Sequence, residues 1–215
     1  MNLRAKIVRK LLRAYIKLST GKYINYRGIR LYLDSVFNPK RTYSTDLLVE
    51  HLHEKTFNEL VEVGSGSGAL IISLADKINY GIATDVVWRA ACCAKQNIVC
   101  AKYSHKIDVI VADGLSCFRA SSLNVVVFNP PYLPLDPLDE IDLAICCGRK
   151  LELFYKFIEE LSEKLKKGGE AYITCSSLTG LEKVLSIVKD FGFTCSIEGV
   201  KKTIFDKIFL LKISR

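Results

Sequence analysis

From residue 57 onward, short apolar runs alternate with longer segments of helical period, and this constrains the fold more than any other feature. Residues 60–63, 81–84, 107–111, 125–128 and 171–175 read as strands, rich in β-branched residues and too short for helices. Between them, residues 69–77, 88–100, 151–165 and 181–191 read as helices, the third ended by Lys166-Lys167-Gly168-Gly169. Strands joined through helices pair in parallel, because the crossover returns the chain to the same edge. The last two apolar runs, 194–198 and 203–213, have no helix between them and predict a hairpin, which brings an antiparallel strand into the sheet. The expected fold class is α/β, with a doubly wound, mainly parallel sheet.

The N-terminal part differs. Leu3, Ile7, Leu11, Leu12, Tyr15, Ile16 and Leu18 recur at helical spacing, so residues 3–18 read as one amphipathic helix. Residues 23–36 alternate like a short hairpin turning at Arg27-Gly28. Pro39 and the polar run 40–42 form a loop, and a helix follows over residues 45–53. The chain thus divides into a basic N-terminal helix and hairpin, 1–35, and a main domain, 36–215. Arg4, Lys6, Arg9, Lys10, Arg13, Lys17, Lys22, Arg27 and Arg30 all precede the first acid, Asp34. A face of this kind attracts nucleic acid, a ribosome, an acidic protein or a membrane surface, and it equally suits a solvated helix.

Composition narrows the class. With 215 residues, 49% of them apolar and 25% charged, the chain can bury one core and is neither a disordered segment nor a membrane protein. Apolar runs such as 125–128 are far too short to cross a bilayer. No long apolar stretch follows the basic N-terminus, so a cytoplasmic location is expected. The eight cysteines show no framework: Cys92-Cys93 and Cys146-Cys147 are adjacent pairs, and Cys100, Cys117, Cys175 and Cys195 are scattered. With only His51, His53 and His105 to join them, no metal site is expected, and the thiols read as reduced and buried.

Glu62-Val63-Gly64-Ser65-Gly66-Ser67-Gly68 joins the first core strand to a helix. Glycines there permit positive φ and let a ligand approach the backbone, at the sheet edge where α/β folds bind ligands. The next strand ends at Asp85, whose carboxylate can accept from both hydroxyls of a ribose; that suits a dinucleotide enzyme and a methyltransferase alike. The strand after it ends at Asp113-Gly114, where a carboxylate can accept from an adenine amino group and a backbone N–H can donate to the ring. Asp136, Asp139, Glu140 and Asp142 form an acidic loop read as mostly solvated.

The most specific feature is the buried run 125–128 leading straight into Asn129-Pro130-Pro131-Tyr132. The prolines fix φ and remove competing N–H donors. The Asn129 side-chain oxygen and the Pro130 carbonyl can then accept both hydrogens of a planar NH2 group, while Tyr132 offers a flat face for it. An amide or arylamine nitrogen is a poor nucleophile because its lone pair is delocalised. Two acceptors aim that lone pair at a sulfonium methyl, and such orientation supplies roughly 7–11 kcal/mol of a barrier in favourable cases. Preorganised dipoles add to it.

With these motifs placed, the chain resembles the class I S-adenosylmethionine-dependent methyltransferases and, more narrowly, the HemK/PrmC family of protein-glutamine N5-methyltransferases. The likeness runs over residues 36–213: Phe37-x-Pro39-Lys40, residues 45–50, the glycine turn, Asn-Pro-Pro-Tyr, and residues 147–151 with Phe154-Tyr155. It implies a seven-stranded, Rossmann-like sheet. It also implies that Thr45, Glu62, Gly64, Gly66, Asp85, Asp113, Gly114 and Asn129 contact S-adenosylmethionine, and that Asn129, Pro130 and Tyr132 form the acceptor clamp. The implied substrate is a glutamine in the Gly-Gly-Gln loop of a translation release factor. The chain departs from the bacterial pattern in its longer 39–45 loop, in keeping only Gly148 of a Gly-Gly-x-x-Gly segment, and in having a short basic stretch instead of an N-terminal helical domain. That shortness resembles the archaeal and eukaryotic branch, which implies a small zinc-ribbon activator subunit as partner. The alternative is N6 methylation of adenine in DNA or RNA, since the same tetrapeptide serves both amino groups and the basic N-terminus could meet nucleic acid. A non-catalytic cofactor-bound scaffold and an NAD oxidoreductase are the remaining readings; the second leaves Asn-Pro-Pro-Tyr unexplained.

Overall fold

The computed structural model describes residues 3–40, 42–204 and 206–215. Helix α1 (Leu3–Ser19) is followed by strands β1 (Lys22–Tyr26) and β2 (Ile29–Leu33), which pair antiparallel. Their turn is Arg27-Gly28 as expected, with both residues at positive φ (51° and 83°), the geometry whose twist matches that of a hairpin. Arg41, in the loop expected after Pro39, lies outside the described residues, and α2 (Tyr43–Leu52) follows it.

The main sheet is built from β3 (Phe57–Val63), β4 (Ile78–Asp85), β5 (Ile107–Val111), β6 (Leu123–Phe128), β7 (Leu165–Ser176), β8 (Thr194–Lys202) and β9 (Lys207–Ser214). Interleaved with these strands are α3 (Ala69–Ser73), α4 (Trp88–Cys100), α5 (Glu140–Leu143), α6 (Glu152–Lys164) and α7 (Leu181–Asp190). The strand order is β5-β4-β3-β6-β7-β9-β8. β3 to β7 run parallel; β9 pairs antiparallel with both β7 and β8 and so runs against the other strands, as the helix-free ending predicted. The strand order reverses direction between β3 and β6. At such a switch point the two connecting segments diverge and leave a cleft beyond the carboxyl ends of the strands.

Burial on both faces explains the composition of β6. Val126 faces a cluster containing Phe154, Phe157 and Ile158 of α6 and Val184 and Ile187 of α7. Its neighbour Val127 faces the opposite cluster, with Leu48 and Leu52 of α2 and Leu70 and Ile71 of α3. Each such side chain, fully buried, contributes about 1.5–3 kcal/mol. α1 lies on neither cluster. Its Ala5, Val8 and Ile16 pack on Leu133, Leu135, Ile145 and Cys146, in the segment after the Asn-Pro-Pro-Tyr turn.

Several expectations need correction. Residues 166–169 do not simply stop a helix: they belong to β7, where they lie opposite Asn124 alone as an irregularity between the pairs Leu123↔Leu165 and Val125↔Glu170. Residues 69–77 are not one helix, because Leu74 leaves helical dihedrals (φ −98°, ψ 3°) and a separate 3-10 turn covers Ala75–Lys77. The final strand starts at Lys207, since Thr203 and Asp206 close the turn with a backbone bond of 2.8 Å; Phe205, within the expected strand, lies outside the described residues. Cys93, Cys146, Cys147 and Cys175 are buried, but Cys92, Cys100 and Cys117 are exposed. Asp142 is not solvated at all: its side chain is 0% exposed and lies against Arg13.

Gly68, the residue before α3, has φ of 73°, and a Cβ there would sit 3.4 Å from the Cα and Cβ of Ala94 on α4. The expected cost of Gly68→Ala is about 1–2 kcal/mol of folding free energy from the left-handed backbone alone, measurable as a lower midpoint in urea denaturation.

Candidate active site

A cavity of about 910 Å³ opens at the carboxyl ends of β3, β4 and β6. Thr45, Glu62, Gly64, Gly66, Asp85, Asp113, Gly114, Asn129, Pro130 and Tyr132 all lie on its wall. The fold therefore gathers the residues expected to meet cofactor or acceptor into one site.

One end is the glycine turn. Gly64 and Gly66 have φ of 65° and 54°. A Cβ on Gly64 would press on the Phe128 ring at 3.2 Å, whereas one on Gly66 would find nothing nearer than Val36 at 4.0 Å. The turn is tied down by Asp85, whose Oδ2 accepts from Gly66 N at 2.9 Å and whose Oδ1 accepts from Val87 N at 3.0 Å. Burial pushes the Asp85 carboxyl above its ordinary range, against the pull of these backbone donors. Beneath the turn, Glu62 is buried and accepts from Ile71 N at 3.0 Å. Burial pushes its carboxyl up to about 8, the Ile71 N–H bond pulls it down, and the charge of Asp85 adds to the rise.

Asp113 and Gly114 follow β5 and are held from α6. Glu160 Oε2 accepts from Leu115 N at 2.7 Å, and the Lys156 ammonium pairs with Asp113 and lies 4.0 Å from Glu160. Gly114 has φ of 62°, and a Cβ there would overlap the Glu160 carboxylate. At the other end, Asn129 is held on both sides of its amide. Thr174 Oγ1 donates to Asn129 Oδ1 at 2.7 Å, and Asn129 Nδ2 donates to Thr45 Oγ1 at 3.1 Å. Tyr132 packs its ring against the α2 and α3 cluster, and Thr179 Oγ1 donates to its carbonyl at 2.6 Å.

The cavity fits a nucleoside-bearing cofactor on an observation independent of motif. Ser65 Oγ is buried and has no hydrogen-bond partner among the described residues, and its residue lies on the cavity wall. A buried hydroxyl left unpaired is costly, and a polar ligand would satisfy it. Sequence reasoning missed Thr174, Lys156, Glu160 and Ser65. Only Ser65 carried a signal, its place inside the glycine turn.

Glu62 also sets a pH dependence. Its folded pKa lies above its unfolded value near 4.5, so the neutral carboxyl is the form that folding favours. The stability it lends is full below pH 4.5 and drains away as pH rises to about 8. Glu62→Gln keeps an acceptor for Ile71 N without that loss. Its melting temperature is expected to gain on the wild type as pH rises from about 5 to 8 and to level off above, in a thermal-shift series.

The chain matches the methyltransferase small domain family over residues 32–203. It is 30% identical over 199 residues to a Methanocaldococcus jannaschii protein provisionally named a protein N5-glutamine methyltransferase, covering 89% of this chain and 98% of that one. It is 26% identical over 207 residues to a release factor glutamine methyltransferase of Lactococcus lactis, covering 89% of this chain and 74% of the relative. Among solved structures, a chain of the E. cuniculi Mtq2–Trm112 complex, responsible for methylation of the eRF1 termination factor, superposes with a TM-score of 0.62 at 19% identity, covering 84% of this chain and 99% of that one. The M. jannaschii tRNA m1G37 methyltransferase gives 0.65 at 18% identity, over 90% of this chain and 56% of that one, so likeness of fold alone does not separate protein from nucleic acid as substrate. The chain belongs to the methyltransferase small domain family, and within it to the HemK/PrmC-like class I methyltransferases.

Proposed function

We propose that this cytoplasmic methyltransferase uses S-adenosylmethionine to methylate the side-chain amide nitrogen of a glutamine in the Gly-Gly-Gln loop of a translation release factor. The observation that carries the reading is Asn129, an amide fixed from both sides at the cavity wall by Thr174 and Thr45. The names of the relatives from M. jannaschii and L. lactis support it. By the same likeness we infer a small zinc-ribbon activator subunit, as the E. cuniculi neighbour is a complex with Trm112.

When bound, S-adenosylmethionine supplies a methyl carbon made electrophilic by its sulfonium. Thr45, Glu62, Gly64, Gly66, Asp85, Asp113 and Gly114 hold it, with Ser65 Oγ as a further donor. One lone pair of Asn129 Oδ1 is taken by Thr174. The second remains to accept one N–H of the substrate amide, while the Pro130 carbonyl accepts the other. Those two bonds keep the NH2 group from turning and stabilise positive charge as it develops on nitrogen. Tyr132, half-buried at the wall, bounds the slot. As nitrogen becomes positive its proton becomes acidic enough to pass to water, so no ionised base is required at Asn129.

The adenine alternative drew on the basic N-terminus. Arg9 and Arg13 from that segment are paired with Asp139 and Asp142, which leaves fewer cations there for phosphates. Mass spectrometry of a release factor incubated with the enzyme, S-adenosylmethionine and activator is expected to show +14 Da on the glutamine-bearing peptide, and label in RNA instead would sink the reading. Asn129→Ala is expected to lower the rate about 100-fold or more, the scale of a lost oxyanion-type donor or acceptor. Thr174→Val, which frees Asn129 to turn, is expected to lower kcat about tenfold, the worth of one hydrogen bond to a reacting group. Cofactor affinity, read by calorimetry, is expected to stay unchanged in Thr174→Val.

A further inference from the structure

The segment after Tyr132 leaves the clamp and returns to it. Leu133 N donates to Ile145 O at 2.9 Å, Cys147 N donates to Leu133 O at 2.9 Å, and Gly148 N donates to Leu135 O at 3.0 Å. The intervening loop carries α5, with the Asp139 carboxylate accepting from Asp142 N at 3.1 Å. Pro137, Ile141, Leu143 and Ala144 of this loop line the cavity. Its other side is covered by α1, through the separate apolar cluster that Val8 and Ile16 share with Leu133 and Ile145.

The polar part of that contact is concentrated on one side chain. Arg13 Nη1 donates to Asp142 Oδ1 at 2.5 Å and to Asp139 Oδ1 at 2.7 Å, and Arg13 Nη2 donates to Asp139 Oδ2 at 2.6 Å. Asp142 is fully buried, and its other oxygen accepts from Leu138 N at 3.1 Å and lies 3.6 Å from Arg9. A buried carboxylate stripped of its cation is strongly unfavourable, so the loop cannot keep this shape once α1 is displaced. The guanidinium also holds the Asp139 carboxyl down at about 2.

We propose that Arg13 is a positioning residue for the acceptor: by gripping Asp139 and Asp142 it fixes the 133–148 loop as the acceptor-side wall of the site. The inference rests on the reading above, in which the acceptor enters beside Asn129. Apart from Thr45 of α2, the cofactor-side groups are carried by β3, β4, β5 and their turns instead. Loosening the fork therefore disturbs one side of the cavity and spares the other.

The test uses the full chain, with activator, and compares Arg13→Ala and Arg13→Lys with the wild type. Arg13→Ala is expected to raise KM for the release factor about tenfold or more, the scale of a lost charge-assisted hydrogen bond, with kcat falling less. Affinity for S-adenosylhomocysteine is expected to stay within about twofold, as for distant sites. Arg13→Lys keeps the charge but not the fork and is expected to recover part of the loss. Independently of any acceptor, amide hydrogen exchange over residues 136–148 is expected to quicken in Arg13→Ala, while residues 60–70 stay as they are. An unchanged acceptor KM, an equal loss of cofactor affinity, or unchanged exchange in the loop would each overturn the proposal. If the wild type methylates no glutamine, the functional reading fails and the exchange measurement alone decides for or against the fork. Should Arg13→Ala not fold, Asp139→Asn, on the half-exposed side of the fork, serves in the same comparisons.

Discussion

The register of β3 against its two neighbours governs everything above it. Val63 pairs with Thr84 on one side and with Phe128 on the other, so β3 and β6 finish level and β4 runs one residue further. The residues that follow are Gly64, Asp85 and, one past Phe128, Asn129. A slip of one residue on β6 would turn Val126 and Val127 onto each other's faces, into cores built for the opposite side. Buried valines thus set where the amide of Asn129 stands, without touching it.

Above that edge, the chain separates two kinds of work by the elements that do it. Backbone donors and buried carboxyls cluster at the ends of β3 and β4, where Asp85 ties down the glycine turn. The acceptor side is assembled from hydroxyls on α2 and β7, one strand away. Burial holds the Glu62 and Asp85 carboxyls on the first side above their ordinary range, while the second has no charge near its amide in the contacts described. A cationic cofactor and a neutral acceptor call for just such a division.

How much could be read beforehand depended on how local the cause was. The glycine turn, the Arg27-Gly28 hairpin and the strand leading into Asn-Pro-Pro-Tyr each declare themselves within a few residues, because positive φ, missing N–H groups and burial on two faces are local demands. Thr174 reaches Asn129 from 45 residues away, and Glu160 reaches Leu115 from the same distance. A threonine in a strand and a glutamate on an amphipathic helix look ordinary in sequence. Asp142 misled for the same reason: its loop is acidic and polar, and its burial is made tolerable by Arg13 and Arg9 from far earlier in the chain. The Lys166–Gly169 run does follow the helix end, but its place in β7 was missed because a strand irregularity and a helix terminus ask for the same residues.

The site is closed by contacts that span most of the chain. Asn129 needs Thr45 from α2 and Thr174 from β7, and the wall beside it needs α1. During synthesis, the N-terminal helix and hairpin emerge long before the strand that completes the clamp. A nascent chain released short of β7 would retain the glycine turn yet lack the Thr174 tether on its amide. Competence for chemistry is thereby a late event of biogenesis, reached only once β7 has left the tunnel.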